Sequence, residues 1–192
     1  MSKLVVSEFV TLDGVMEDPG GAEGFDRGGW AFQFDRGADG DKFKLDETME
    51  AESLLLGRVT YEGFAAAWPS RTDEAGFADK MNGMPKYVVS STLENPEWHN
   101  STVVKGDVAG EVAKLKEGSD GPILVAGSRT LVQALLGNDL VDELRLMVFP
   151  VVLGAGKKLF EDAGGTRPLK LRESRPVGDD GVVVLVYEPK PV

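Results

Sequence analysis

Apolar positions along this chain follow two periods, and the switches between them mark out the elements. Lys3 to Val10 is a run of β-branched, apolar and aromatic residues and predicts a first strand. A long Gly- and Asp-rich segment follows, from Thr11 to about Gly40. Structureless segments of that length are uncommon in compact domains and often functional. Asp41 to Glu52 then reads as a helix with Leu45 and Met49 on one face. Ser53 to Gly57 is a short strand, and Thr60 to Ala67 a short helix that stops before Trp68-Pro69.

Lys86 to Ser90 and the run "STVVK" are two further strands. Asp107 is placed to cap a helix carrying Val108, Val112 and Leu115, which Gly118 ends. Pro122 to Ala126 is a strand that runs directly into a helix over Ser128 to Leu136. The alternation then ceases. Glu143 to Phe149, Leu169 to Arg175 and Val182 to Tyr187 are strands with no helix between them, and Gly178-Asp179-Asp180-Gly181 punctuates a hairpin. Alternating strands and helices imply a mainly parallel sheet with helices on both faces, and the last strands add an antiparallel hairpin. No linker or repeat interrupts the pattern, so one α/β domain over residues 1–192 is expected.

Composition narrows the chemistry. The 192 residues are 42% hydrophobic and 28% charged, as in a globular domain. With no cysteine, a thiol nucleophile, a disulfide and a thiolate metal site are excluded. The single histidine, His99, lies in the polar stretch "NPEWHNST", so no histidine-rich metal site is expected. The first residues lack the apolar core of a signal peptide, and no apolar run is long enough to cross a bilayer; a cytoplasmic location is the expectation. A net charge of −11 disfavours nucleic acid and anionic membranes as partners and leaves small molecules.

Ligands of such sheets bind where parallel strands end, and three strand ends carry suitable residues. In "LLLGRVTYEGF", Gly57 permits a turn or a close backbone approach, and Arg58 beside a helix start capped by Thr60 suits a phosphate. A turn glycine and a solvated arginine also account for that stretch. In "YVVSST", Ser90, Ser91 and Thr92 offer hydroxyls to a ribose or a phosphate, though such residues also end strands for local reasons. In "ILVAGSRTLVQALL", the amides around Gly127, Ser128, Arg129 and Thr130 form a helix N-terminus favourable to an anion, and tight strand-to-helix packing explains it equally. Together the three point to one elongated ligand carrying several phosphates.

These motifs, with "TLDGVM" near the start and "LVDELRLMVFPVVLGAGKKLF" near the end, resemble in order and spacing the dihydrofolate reductase-like superfamily. The similarity is closest to the C-terminal reductase domain of the bifunctional riboflavin-biosynthesis deaminase-reductase, and it covers essentially the whole chain. The resemblance implies NADPH as cofactor and hydride transfer to a small heterocyclic, imine or carbonyl substrate. It places Gly57, Arg58 and Thr60 on the cofactor's phosphate side, and Ser90, Ser91 and Thr92 around the adenosine ribose and its 2′-phosphate. Gly127, Ser128, Arg129 and Thr130 would cradle the pyrophosphate, with Arg129 a candidate for the 2′-phosphate. Leu153 and Gly154 would approach cofactor or substrate, and Asp13, Gly14 and a mobile loop through Trp30 would face the substrate.

The chain departs from the resemblance in two places. Ala126-Gly127 stands where dihydrofolate reductases have a Gly-Gly pair, and Asp41, Asp46, Glu47 and Glu50 all compete for the carboxylate that holds their pterin. Lys157 and Lys158 read as solvated lysines or as contacts to an anionic substrate. No catalytic proton donor is identifiable. The family also implies a homodimer, with the "VVVLVY" strand as a candidate contact. The alternative to an enzyme is a dinucleotide-binding module that kept the fold without catalysis.

Overall fold

A computed structural model describes residues 1–160 and 165–190. Eight strands form one sheet: β1 (Leu4–Thr11), β2 (Ser53–Gly57), β3 (Lys86–Val89), β4 (Ser101–Val104), β5 (Ile123–Ala126), β6 (Glu143–Phe149), β7 (Leu169–Val177) and β8 (Val182–Pro189). Five helices accompany them: α1 (Gly37–Glu50), α2 (Arg58–Ala67), α3 (Phe77–Gly83), α4 (Val108–Gly118) and α5 (Arg129–Gly137). The strand order is β4-β3-β2-β5-β1-β6-β8-β7. β2 pairs in parallel with β3 and β5, β3 pairs in parallel with β4, and β8 pairs antiparallel with β6 and β7. The expected mainly parallel sheet with an antiparallel C-terminal hairpin is the observed one.

The residues group into two compact units. In the first, Met1–Val6 with Lys44–Val141, Leu54, Leu55 and Leu56 of β2 are wholly buried. A continuous apolar run is what a parallel strand covered on both faces requires. Leu54, Leu56, Val88, Met81, Met84 and Trp98 pack into one core, and each such side chain contributes roughly 1.5–3 kcal/mol through burial. In the second unit, Ser7–Phe43 with Asp142–Val192, Val182, Val184 and Val186 of β8 turn inward at alternate positions onto Trp30, Met147 and Phe149.

Four expectations need correction. α1 begins at Gly37, and it buries Glu47 and Thr48 while Met49 is exposed. The buried carboxylate of Glu47 is tolerated because Lys44, one turn earlier, pairs with it. α2 begins at Arg58, so Thr60 sits inside its first turn and is not its cap. α3 was not anticipated: it has only seven residues and buries just Ala78 and Met81. The Asp73 carboxylate builds its start by accepting bonds from the amides of Phe77 and Ala78 at 2.9 and 2.7 Å.

The fourth correction concerns Trp30 in the segment from Thr11 to Gly40, where Asp18 and Trp30 are buried and hydrogen-bonded. Asp18 is 1% exposed. Its carboxylate accepts from the amides of Glu23 and Phe25, and its carbonyl from Gly21 and Gly29. Trp30 is fully buried, donates its indole N–H to the Glu17 carbonyl at 2.9 Å and packs edge-on against Phe149. It is a core residue and cannot face a substrate. A large ring with one polar handle is more stable inside once a carbonyl accepts that handle.

Candidate functional site

β2 and β5 lie side by side in parallel, so the loops that leave their C-terminal ends meet. Gly57 precedes α2 and Ser128 precedes α5. The Gly57 amide donates to the Ser128 hydroxyl at 2.8 Å, and the Ser128 amide donates to the Thr60 hydroxyl at 2.9 Å. The contact leaves no space at Gly127: a Cβ there would stand 2.9 Å from Thr60 Cγ2, and its φ of +64° independently requires glycine. Each of the two hydroxyls has accepted one backbone bond. A hydroxyl carries one donor and two acceptor sites, so both keep their protons for a ligand oxygen.

Arg58, one residue beyond Gly57, lines a groove of about 500 Å³ together with Val89, Ser90, Ser91, Thr92, Val104, Lys105, Gly106 and Val108. The groove thus collects the ends of β2, β3 and β4. Its polar members are an arginine, a lysine and three hydroxyl residues, a donor set suited to a phosphate dianion. Glu62, one turn along α2, holds the Arg58 guanidinium through Nη1 at 3.0 and 3.1 Å to its two oxygens. Ser90 also has a local duty, because its hydroxyl accepts the amides of Thr92 and Leu93 at 3.2 and 3.0 Å and turns the chain after β3. Ser91 and Thr92 are exposed.

Of the residues singled out in the sequence, Gly57, Thr60, Gly127 and Ser128 are thus joined in one latch, and Arg58, Ser90, Ser91 and Thr92 in one groove. Arg129 and Thr130 begin α5 and do not line that groove. Lys105 and Gly106 do, and sequence reasoning missed both. The only signal was a lysine directly after the apolar run "STVV". A wider depression of about 940 Å³ lies beyond Glu62 on α2, between Tyr61, Asp79, Glu97, Trp98 and their neighbours. Its carboxylates, Glu62, Asp79 and Glu97, make it unsuited to phosphate.

In the second unit, the expected Asp13-Gly14 and Leu153-Gly154 pairs come together. The Asp13 carboxylate accepts from the Thr11 hydroxyl at 2.6 Å and from the amides of Leu153 and Gly154 at 3.2 and 2.9 Å. Burial pushes the Asp13 carboxyl up, but the bonds from Thr11, Gly154 and Leu153 outweigh it and hold the group below its ordinary value. Asp13 is therefore an anion at neutral pH and cannot serve as a proton donor. The Arg27 guanidinium donates to the Leu153 carbonyl on the same turn. Gly14 has φ +81° and open space where a Cβ would stand. Lys157 is engaged with Glu17, whose carboxylate takes its amide at 2.8 Å and lies 3.5 Å from its ammonium.

His99 is exposed, and its carbonyl receives the Lys86 ammonium at 3.0 Å. Among the described residues no group of three or more His, Asp or Glu is placed to hold a metal ion. No helix among them is long and apolar enough to cross a membrane.

Comparison with known proteins identifies the family and the fold. The family model of the RibD C-terminal domain matches residues 2–183. The chain is 29% identical over 188 residues to the uncharacterized protein YyaP of Bacillus subtilis, covering 96% of this chain and 94% of that one. Among solved structures it is similar to a putative riboflavin biosynthesis protein from Shewanella sp. PV-4, with a TM-score of 0.77, 22% identity and coverage of 98% and 99%. It is also similar to dihydrofolate reductase from Enterococcus faecalis complexed with NADP(H), with a TM-score of 0.62, 14% identity and coverage of 98% and 97%.

Proposed function

Because the chain belongs to the RibD C-terminal domain family, we propose that it is an NADPH-dependent reductase acting on a small heterocyclic, imine or carbonyl substrate. The observation that carries this reading is the groove shared by Arg58, Ser90, Ser91, Thr92 and Lys105. A dianionic phosphate explains why an acidic protein gathers an arginine, a lysine and hydroxyls at three strand ends. The family match runs through both compact units, which supports reading residues 1–192 as a single reductase domain.

Bound NADPH would supply the hydride. The protein's own work is recognition and orientation. Arg58 and Lys105 would hold the 2′-phosphate, with Ser91 and Thr92 as further donors. The Thr60 hydroxyl and the start of α5 over Gly127, Ser128, Arg129 and Thr130 would hold the pyrophosphate, since a helix N-terminus favours an anion. Leu153-Gly154 and Gly14, tied together through Asp13, are the surfaces assigned to the reacting end of the ligands. The Asp13 anion fixes that turn and transfers no proton. Water is the proton source this reading leaves. A homodimer belongs to the same proposal, but not through the "VVVLVY" run, because β8 is paired on both sides, with β6 and β7, and has no free edge; the edge strand is β7, exposed along nearly its whole length, Leu169 and Leu171 included.

The test is a fluorescence titration with NADPH and, separately, NADH, repeated on Arg58→Ala and Lys105→Ala. A charge-assisted contact is worth about 1.5–3 kcal/mol. The Arg58 side chain is 44% exposed, so the lower end applies, about tenfold in affinity. Each variant should lose about tenfold for NADPH and little for NADH, which lacks the 2′-phosphate. Equal losses for both cofactors, or none for either, would overturn the assignment. Tight binding without turnover across carbonyl and imine compounds would favour a binding module that kept the fold.

A further inference from the structure

Among the described residues, four that are not glycine have positive φ: Asp18, Asn100, Ser128 and Asp139. Three are Asp or Asn, the side chains that enter this region most readily. Ser128 is the exception. It sits at φ 62° and ψ 50°, where a Cβ crowds the following carbonyl. It precedes α5, yet its side chain makes no capping bond to that helix, so the usual reason for a serine before a helix is missing. Glycine would fit this conformation better, and the neighbouring Gly127 also has a positive φ, 64°. All that glycine would lack is the hydroxyl.

That hydroxyl reaches across 71 positions of sequence to accept the Gly57 amide at 2.8 Å. The amide lies at the end of β2, directly before Arg58, the first residue of α2. We infer that Ser128 is a positioning residue for cofactor binding, kept in a strained conformation because its hydroxyl fixes the Gly57 backbone and, through it, the origin of the Arg58 side chain. Thr60 completes the device by accepting the Ser128 amide at 2.9 Å, so the two loops hold each other reciprocally. Strain retained at one residue and repaid in pre-organisation at another is the pattern found at functional sites. The inference rests on reading the Arg58 groove as the cofactor's phosphate site.

Ser128→Gly and Ser128→Ala separate the hydroxyl from the conformation. Both remove the hydroxyl, and only alanine retains the left-handed penalty. Both variants should bind NADPH about tenfold more weakly than the wild type and to the same extent, while the glycine variant melts about 2–4 °C above the alanine variant. Hydrogen exchange of the Gly57 amide, followed by NMR without cofactor, should quicken at least tenfold in both. Wild-type affinity in Ser128→Gly would overturn the positioning role, because the hydroxyl would then be dispensable. Unchanged Gly57 exchange would overturn the latch itself. If the wild-type chain binds no NADPH, the reductase reading and the positioning role fall together, while the Gly57 exchange still decides the latch.

Discussion

Replacing Asp13 with alanine removes one carboxylate and three hydrogen bonds at once, from the Thr11 hydroxyl and the amides of Leu153 and Gly154. A bond to an ionised acceptor contributes about 1.5–3 kcal/mol. Here the Gly154 end is exposed and the Leu153 bond is long, so the whole clamp is worth about 2–3 kcal/mol rather than three times the single value. At roughly 2–4 °C per kcal/mol for a chain of this size, Asp13→Ala should melt about 5–10 °C below the wild type at pH 7. The sign of the pH dependence follows from the carboxyl's lowered pKa. As pH falls, the unfolded chain takes up the proton before the folded one, so stability present above the ordinary carboxyl value of 3.8 is lost as pH drops through and below it. Thermal unfolding followed by circular dichroism from pH 7 to pH 3 is the assay. The gap between wild type and variant should narrow steadily below pH 4. A variant that melts with the wild type at pH 7, or a gap as wide at pH 3 as at pH 7, would refute the assignment of Asp13 as an ionised clamp.

Two further outcomes are expected. Trp30→Phe keeps an aromatic ring against Phe149 but forfeits the N–H bond to the Glu17 carbonyl; it should cost about 1–2 kcal/mol in urea unfolding and leave NADPH affinity unchanged, as fits a core residue rather than a lid. Lys86 is fully buried, with its ammonium over Trp98 and on the carbonyls of Asn82 and His99, and burial pushes its pKa down to about 8. Between pH 8 and 10.5 the unfolded chain therefore holds the extra proton, and the wild type should gain stability over that range relative to Lys86→Met; parallel pH profiles for the two proteins would count against it.

The strand-and-helix order was legible because each element carries its own period, and the site was legible where a local composition announces it. Gly57-Arg58, Ser90-Ser91-Thr92 and Gly127-Ser128 each end an apolar run with residues that bind or bend. Legibility failed where burial depends on contacts that no local period encodes. Trp30 lies among glycines and looks exposed in the sequence. Its ring is covered by Met147, Phe149 and the valines of β8, while the Asp18 carboxylate takes the amides of Glu23 and Phe25 and its carbonyl that of Gly29, and no local pattern encodes that convergence. Glu47 lies on a helix with hardly any apolar face, so periodicity could not tell which side would be covered.

Lys105 shows most directly how the fold makes a site that the sequence conceals. β3 and β4 are parallel, and their register pairs Val89 with Val104. The next residue on each strand is therefore set beside the other: Ser90, whose amide donates to the Val104 carbonyl at 3.2 Å, and Lys105. Neither neighbour carries a strong signal alone. A serine after a strand is an ordinary turn former, and a lysine after a strand is an ordinary solvated charge. Parallel pairing aligns equivalent strand ends at one edge of the sheet, so separate weak signals add there. Arg58 joins them by the same rule, because Gly57 pairs with Val89 on the other side. Three strands that stop at the same level bring an arginine, a serine and a lysine to one groove, the surface proposed here to take the phosphate.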